Sequence, residues 1–253
     1  MLKVRVIPIL LFKNPETGLV KSVNFNNLRT VGNPVNSARV YNSRNVDELI
    51  FLDIGARRDN RPVSVSTIKD ILKECFMPLT VGGKVENLND VRTLLLAGAD
   101  KISVNTAALN APDLISKIAN SYGSQCVTVA IDVKKINGKY MVFSHAGKQN
   151  RSVTADDWAK QAEATGAGEI LITSIDREGM MNGYDIDLIK IVSRSINIPV
   201  IAHGGAGNPQ HIIDAVKLGK ASAAAAASIF HFTHWTPMMV KQEMEKAGIP
   251  VRL

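Results

Sequence analysis

Cysteine is nearly absent: Cys75 and Cys126 are the only two in a chain of 253 residues. Two thiols cannot build a disulfide framework, and neither sits in a Cys-x-x-Cys pair or a Cys/His cluster with metal-ligand spacing. No metal centre and no bound cofactor is expected, and the reducing cytoplasm is the expected compartment. Aromatic residues make up only 5% of the chain, which leaves few platforms for stacking nucleic-acid bases. The net charge of +7 is scattered through amphipathic segments rather than gathered in one stripe, so it suits a small anionic ligand better than a nucleic acid. Nothing in the chain approaches the about 20 apolar residues that cross a bilayer. The opening MLKVRVIPILLFKN carries a short apolar run without a small-residue cleavage site and reads as a buried strand. No Pro/Gly/Ser-rich linker or low-complexity tract divides the sequence, so 1–253 is expected to form one domain. With 45% hydrophobic and 21% charged residues it can bury a sizeable core.

Eight short apolar runs stand at 4–11, 48–54, 78–81, 101–104, 127–133, 169–174, 199–202 and 221–227. Near-continuous apolar strands of this kind belong to a parallel sheet covered on both faces. Between them lie segments of helical period with start signals: Thr154 before Asp157 as a capping box, Asn208 before Pro209 as N-cap and first helical residue, and Asn110 shortly before Pro112. Eight βα units in about 250 residues suit a closed (β/α)₈ barrel, a TIM barrel, better than an open sheet.

An internal repeat sharpens this reading. With an offset of 121 residues, ELIFLDI at 48–54 falls on EILITSI at 169–175, Pro78 on Pro199, and GADKISVNTAAL at 98–109 on GKASAAAAASIF at 219–230. The Gly82-Gly83 pair meets Gly204-Gly205 with one residue of slip. Two half-barrel repeats of four βα units produce this pattern.

Chemistry in such a barrel belongs at the C-terminal ends of the strands, where Gly-rich turns offer N–H groups to anions. The repeat supplies two places of this sort, Gly82-Gly83 with Asn105-Thr106 and Gly204-Gly205 with Ala227-Ser228, as expected for a ligand with a phosphate at each end. A lone Gly-Gly is more often only a tight turn; the duplication is what raises it. Asp132 ends the fifth strand, where burial could tune a carboxyl for general acid or base work, although a cap or an ion pair with Lys134 would place it there too. At the offset its partner on strand one is Leu11, which moves no proton. His203 in the AHGG segment is a base, a phosphate ligand or a packing residue. Asp53 and Asp176 end other strands and can serve as caps; His231 and His234 have no third ligand, so a metal site is rejected. Near the strand starts, Arg5, Glu48, Lys101 and Glu169 put two positive and two negative charges where a barrel floor is usually apolar. Such charges are costly unless paired, so a structural salt-bridge layer is the plain reading.

Taken together, these segments resemble the cyclase subunit of imidazole glycerol phosphate synthase, a histidine-pathway barrel that pairs with a glutaminase subunit. The resemblance runs through RVIP at 5–8, NFNNLR at 24–29, DELIFLDI, TVGG, GADKISVNTAA, VAID, GAGEILITSIDREG, GGAG and SIFHF. It implies that Asp132 matches the catalytic acid of that family, and that Gly82, Gly83, Asn105, Thr106, Glu178, Gly179, His203, Gly204, Gly205, Ala227 and Ser228 match its phosphate and substrate loops. It further implies that Arg5, Glu48, Lys101 and Glu169 form a gate through which ammonia enters the barrel, and that Asp100 lies at the glutaminase interface. The mouth departs from the pattern. Leu11 stands where the family carries its second catalytic Asp, Ala146 and His203 where it carries Ser, and Glu178 where it carries Asp. Losing one carboxylate of an acid-base pair costs roughly 10²-fold to 10⁴-fold in rate.

An intact gate beneath an altered mouth looks like the divergent second-copy members of the family found with surface-polysaccharide and nonulosonic-acid gene sets. That likeness implies a heterodimer with a glutaminase that supplies ammonia to a sugar amidotransferase for acetamidino-sugar formation. The alternatives are the ordinary cyclase and lyase of histidine synthesis, a non-catalytic scaffold that activates a glutaminase, and a phosphate-binding isomerase, which gives no reason for the charged ring.

Overall fold

A computed structural model describes residues 3–253. Eight parallel strands close into a barrel: β1 (Arg5–Asn14), β4 (Leu49–Asp53), β5 (Leu79–Gly82), β6 (Lys101–Val104), β7 (Val127–Ile136), β10 (Glu169–Ser174), β11 (Val200–His203) and β12 (Ala223–Ala226). They pair in that order, and β12 returns to β1 with Arg5 opposite Ala223 and Pro8 opposite Ala226. All eight strand runs read from the sequence are present, and helices connect the strands as the barrel reading expects.

The pleat sorts the core into two compartments. Ile7, Ile9, Leu11, Ile50, Ala130, Leu171, Ile201, Ala223 and Ala225 form one buried cluster inside the barrel. Val6, Leu10, Phe12, Leu49, Phe51, Ile170, Ile172, Val200 and Ala202 point the other way, into the larger core between sheet and helices. Both strand faces are therefore dry, which is why the strands read as continuous apolar runs.

Two hairpins interrupt the alternation, and the sequence reading did not anticipate them. β2 (Gly18–Val23) and β3 (Asn26–Gly32) extend from the end of β1, and β8 (Lys139–Ser144) and β9 (Gln149–Thr154) extend from the end of β7. They occupy equivalent places in the two half-barrels, after the first strand of each. The helix starts mostly follow their sequence signals. Thr154 Oγ1 accepts from Asp157 N at 3.4 Å, and the Asn208 side chain accepts from His211 N at 3.1 Å. Asn110 behaves differently: it closes the short helix Thr106–Asn110, and the next helix, Asp113–Tyr122, starts behind Pro112. Among the described residues no helix is long and apolar enough to cross a membrane.

Candidate active site

The barrel floor is polar. Glu48 and Glu169, which occupy the same place in the two repeats, point inward from the strand starts and are 2% and 5% exposed. Arg5 donates to both, at 2.5 Å to Glu48 Oε2 and 2.9 Å to Glu169 Oε2. Lys101 Nζ also donates to both, at 3.0 Å and 2.9 Å. Thr80 Oγ1 completes the shell of Glu48 at 2.7 Å, and Thr128 Oγ1 that of Glu169 at 3.0 Å. The result is a closed, neutral ring in which each carboxylate bonds two cations and a hydroxyl. Burial alone would raise Glu169, yet Arg5 and Lys101 outweigh it and hold its carboxyl below the ordinary range. The cations keep part of their surface open below the barrel.

Asp100, beside Lys101, is exposed on this same lower face, and its Oδ2 accepts from Leu79 N at 2.8 Å. Phe76, three residues before β5, is 82% exposed there. Sequence reasoning missed it; an aromatic in a loop entering a strand start is the signal that could have found it. Above the ring lies the apolar cluster inside the barrel, so the interior is a packed greasy layer between two polar ends.

The same inward pleat continues to the mouth, where the strands deliver Leu11, Leu52, Asn105, Asp132, Thr173 and His203. Asp132 accepts from Asn105 Nδ2 at 2.8 Å. Lys134 plays no part in this, because its ammonium donates to Gly147 O at 2.9 Å. Burial pushes the Asp132 carboxyl up to about 7, with the Asn105 bond opposing and the charge of Glu178 adding to the rise. Such a group can donate and accept protons near neutrality. Asn105 Oδ1 is buried beside it with no partner among the described residues. Asp53 ends a neighbouring strand but belongs to the scaffold: it holds Arg61 at 2.7 Å and accepts from Ala56 N and Ser64 N at 3.0 Å. Asp176 accepts from Lys135 N at 3.0 Å and so ties the β10 loop to β7.

Of the two turn pairs, one surrounds a small cavity. Glu178, Gly179, His203, Gly204, Gly205, Ala227 and Ser228 all line it. Gly205 has φ +114°, and a Cβ there would lie 2.1 Å from Gly183 O, so only glycine lets the turn pass. The other pair lies across the mouth at the ends of β5 and β6. There Gly82 abuts Leu52 and Ser103, and Thr106 Oγ1 accepts from His145 N at 3.3 Å.

Glu178 also has a second occupation. Its Oε2 accepts from Ser22 Oγ at 2.9 Å and from Phe25 N at 3.3 Å, while its carbonyl accepts from Asn24 N at 3.0 Å. Gly179 lets the chains approach this closely, since a Cβ would sit 2.1 Å from Ser22 O. On the other side of the hairpin, Lys21 Nζ lies 4.7 Å from the centre of the Phe232 ring. The β2–β3 hairpin is thus latched across the rim. Removing the carboxylate with Glu178→Ala deletes two bonds worth together about 2–3 kcal/mol. Limited proteolysis within 18–32 is expected to run at least about 10-fold faster, a factor worth about 1.4 kcal/mol; an unchanged cleavage rate would show that the latch lies elsewhere.

A model of the family described as "Histidine biosynthesis protein" matches residues 5–236. The chain is 48% identical over 255 residues to the imidazole glycerol phosphate synthase subunit HisF of Chlorobium limicola, with both proteins covered in full. It is 46% identical to that of Chlorobium chlorochromatii, again over the whole of both, and 47% identical to that of Dehalococcoides mccartyi, covering 99% of the relative. The chain belongs to the HisF family. The family expected from the sequence is therefore the family found. All these relatives carry the name of an imidazole glycerol phosphate synthase subunit, and none carries a polysaccharide-related one.

Proposed function

We propose that this HisF-family chain is the cytoplasmic synthase subunit of a glutamine-dependent pair. It takes ammonia from a glutaminase docked beneath the barrel and uses it at the mouth to close an imidazole ring. The substrate is a doubly phosphorylated formimino-ribulosyl carboxamide nucleotide, and the products are imidazole glycerol phosphate and aminoimidazole carboxamide ribotide. The observation that carries this reading is the alignment of two polar ends on one axis: a neutral charged ring at the floor and Asp132 at the mouth, with apolar packing between them.

Each part has a physical reason. Ammonia is uncharged and small, so apolar lining does not repel it as it would ammonium or water. Lys101 is the ring member best suited to swing aside, being a single ammonium on a flexible stem, whereas Arg5 spans both carboxylates with a rigid fork. Exposed Phe76, on the same lower face as Asp100, offers an aromatic anchor to a partner subunit and Asp100 a charge. The two glycine turns stand on opposite sides of the closed strand order, as a ligand with a phosphate at each end requires, and Asp132 on the strand between them moves the proton.

One observation favours a second reading, in which ammonia passes through to another acceptor such as a sugar held by a separate amidotransferase. Leu11 is inward-facing and 8% exposed across the mouth from Asp132, where a second proton carrier would be expected. The names of the relatives shift the weight toward the cyclase. Expression in a histidine auxotroph lacking its cyclase subunit separates the two: growth without histidine supports ring closure. No growth, with glutamine hydrolysis by the partner still stimulated, would transfer the proposal to an external acceptor.

A further inference from the structure

Among the inward-facing side chains of the mouth, Asp132 has a partner in Asn105, but His203 has a ring nitrogen to spare. Its imidazole ends β11 in register with Thr173 of β10, and Thr173 is in turn in register with Asp132 of β7. Nδ1 lies 3.2 Å from Thr173 Oγ1, and Nε2 has no bonding partner among the described residues. The ring is buried, and it lines the cavity together with Gly204, Gly205 and Ser228. The bond fits either tautomer; we assign the one with the proton on Nε2, in which the Thr173 hydroxyl donates to Nδ1 and Nε2–H faces the cavity. A neutral N–H donor therefore stands among glycine amides and a serine hydroxyl, a donor set suited to a phosphate.

We infer that His203 contacts a phosphate monoester held by the Gly204-Gly205 turn and Ser228, donating from Nε2 and taking up a proton as the dianion enters. The inference rests on the reading of this turn as a phosphate site and adds to it a proton-linked affinity. In the empty cavity burial holds the imidazole neutral, pushing it down to about 4. A dianion within hydrogen-bond distance reverses the balance, because the charge that burial disfavours is then directly compensated. The groups facing the ring are few. β10 brings the Thr173 hydroxyl and β12 brings only Ala225. Asp132 stands two strands away on β7. Glu178 lines the same cavity, but its Oε2 is already engaged by Ser22 and Phe25. Arg177 packs its Cβ against the Gly205 turn but turns its guanidinium toward Asn182 O at 3.5 Å, and burial holds the Glu178 carboxyl above its ordinary range. Of the residues lining the cavity, the imidazole is the one able to gain positive charge on binding.

The test is an NMR titration of the full chain, labelled with ¹⁵N at histidine and glycine, using glycerol 3-phosphate as the probe between pH 8 and 6. Saturation is expected to move the Gly204 and Gly205 amides and the His203 ring signals together, and to raise the apparent pKa of the ring to near neutrality. Affinity should then tighten about 10-fold more over that range in the wild type than in His203→Gln, which keeps a neutral donor and so corrects for the probe's own titration. Amides that move while the ring stays still, or equal pH dependence in the two proteins, would overturn the role of His203 and leave the phosphate site standing. Amides that do not move would overturn the phosphate reading itself, and this inference with it.

Discussion

Asp132→Asn is expected to lower ring closure by about 10³-fold while leaving stimulation of the partner's glutamine hydrolysis within about twofold of wild type. The amide is nearly isosteric and keeps an acceptor for Asn105, so the mouth should hold its shape; what is lost is a carboxyl poised to exchange protons near neutrality. The same change should stabilise the protein at alkaline pH, and the sign follows from linkage. A carboxyl whose pKa is raised on folding favours the folded state fully below the unfolded value near 4, and that contribution is lost as pH rises through the folded value of about 7. Above pH 7 the wild type therefore carries a buried charge that the amide variant lacks. The gain is about 2–3 kcal/mol, below what the full shift implies because the mouth is partly open to water. Chemical denaturation at pH 5 and pH 8, alongside the cyclase assay, checks both halves. A variant that is neither slower nor more stable at pH 8 would remove Asp132 from the chemistry.

Lys101→Ala should produce the largest loss in the floor. It leaves Glu48 and Glu169 facing each other with Arg5 and two threonine hydroxyls, and both carboxylates are nearly inaccessible to water. Breaking a buried charge network by removing one partner costs about 3–5 kcal/mol. Here the partly open lower face favours the smaller figure. The pH dependence should invert for Glu169. In the wild type its lowered pKa gives stability present above the unfolded value and lost as pH falls. Without Lys101 burial regains the upper hand, the folded pKa rises, and the deficit should be smaller at pH 5 than at pH 8. In the complex, the proposed gating role of the ring predicts that hydrolysis of glutamine outruns product formation. A fully coupled, fully stable variant would reduce the ring to a structural ornament of the barrel.

The barrel was legible because its strands are dry on both faces, so all eight appear as apolar runs and the repeat fixes their spacing. The hairpins were not, for a physical reason: β3 is mostly exposed, with only Leu28 and Val31 partly covered, and carries no alternation to read. Its turn at Asn24 and Phe25 uses positive φ without a glycine. The β7–β8 turn did carry a signal, Asn137-Gly138, the dipeptide that favours a type I′ hairpin. The charged ring was readable as polar residues at strand starts, although its bonding, with each carboxylate shared by two cations, was not. Strand ends alone did not separate Asp132 from Asp53; only the pleat does, turning one into the mouth and the other toward Arg61. The likeness to second-copy family members led toward a sugar acceptor, while the full-length relatives favour the histidine reaction.

The most direct test of passage from floor to mouth is isotopic. The chain, its glutaminase partner and the doubly phosphorylated substrate are given amide-¹⁵N glutamine in a large excess of unlabelled ammonium, and the imidazole product is weighed by mass spectrometry. Nearly complete ¹⁵N in the new ring nitrogen is the expected result, since ammonia conducted inside the barrel never mixes with the bulk. Label diluted to the bulk ratio would contradict it.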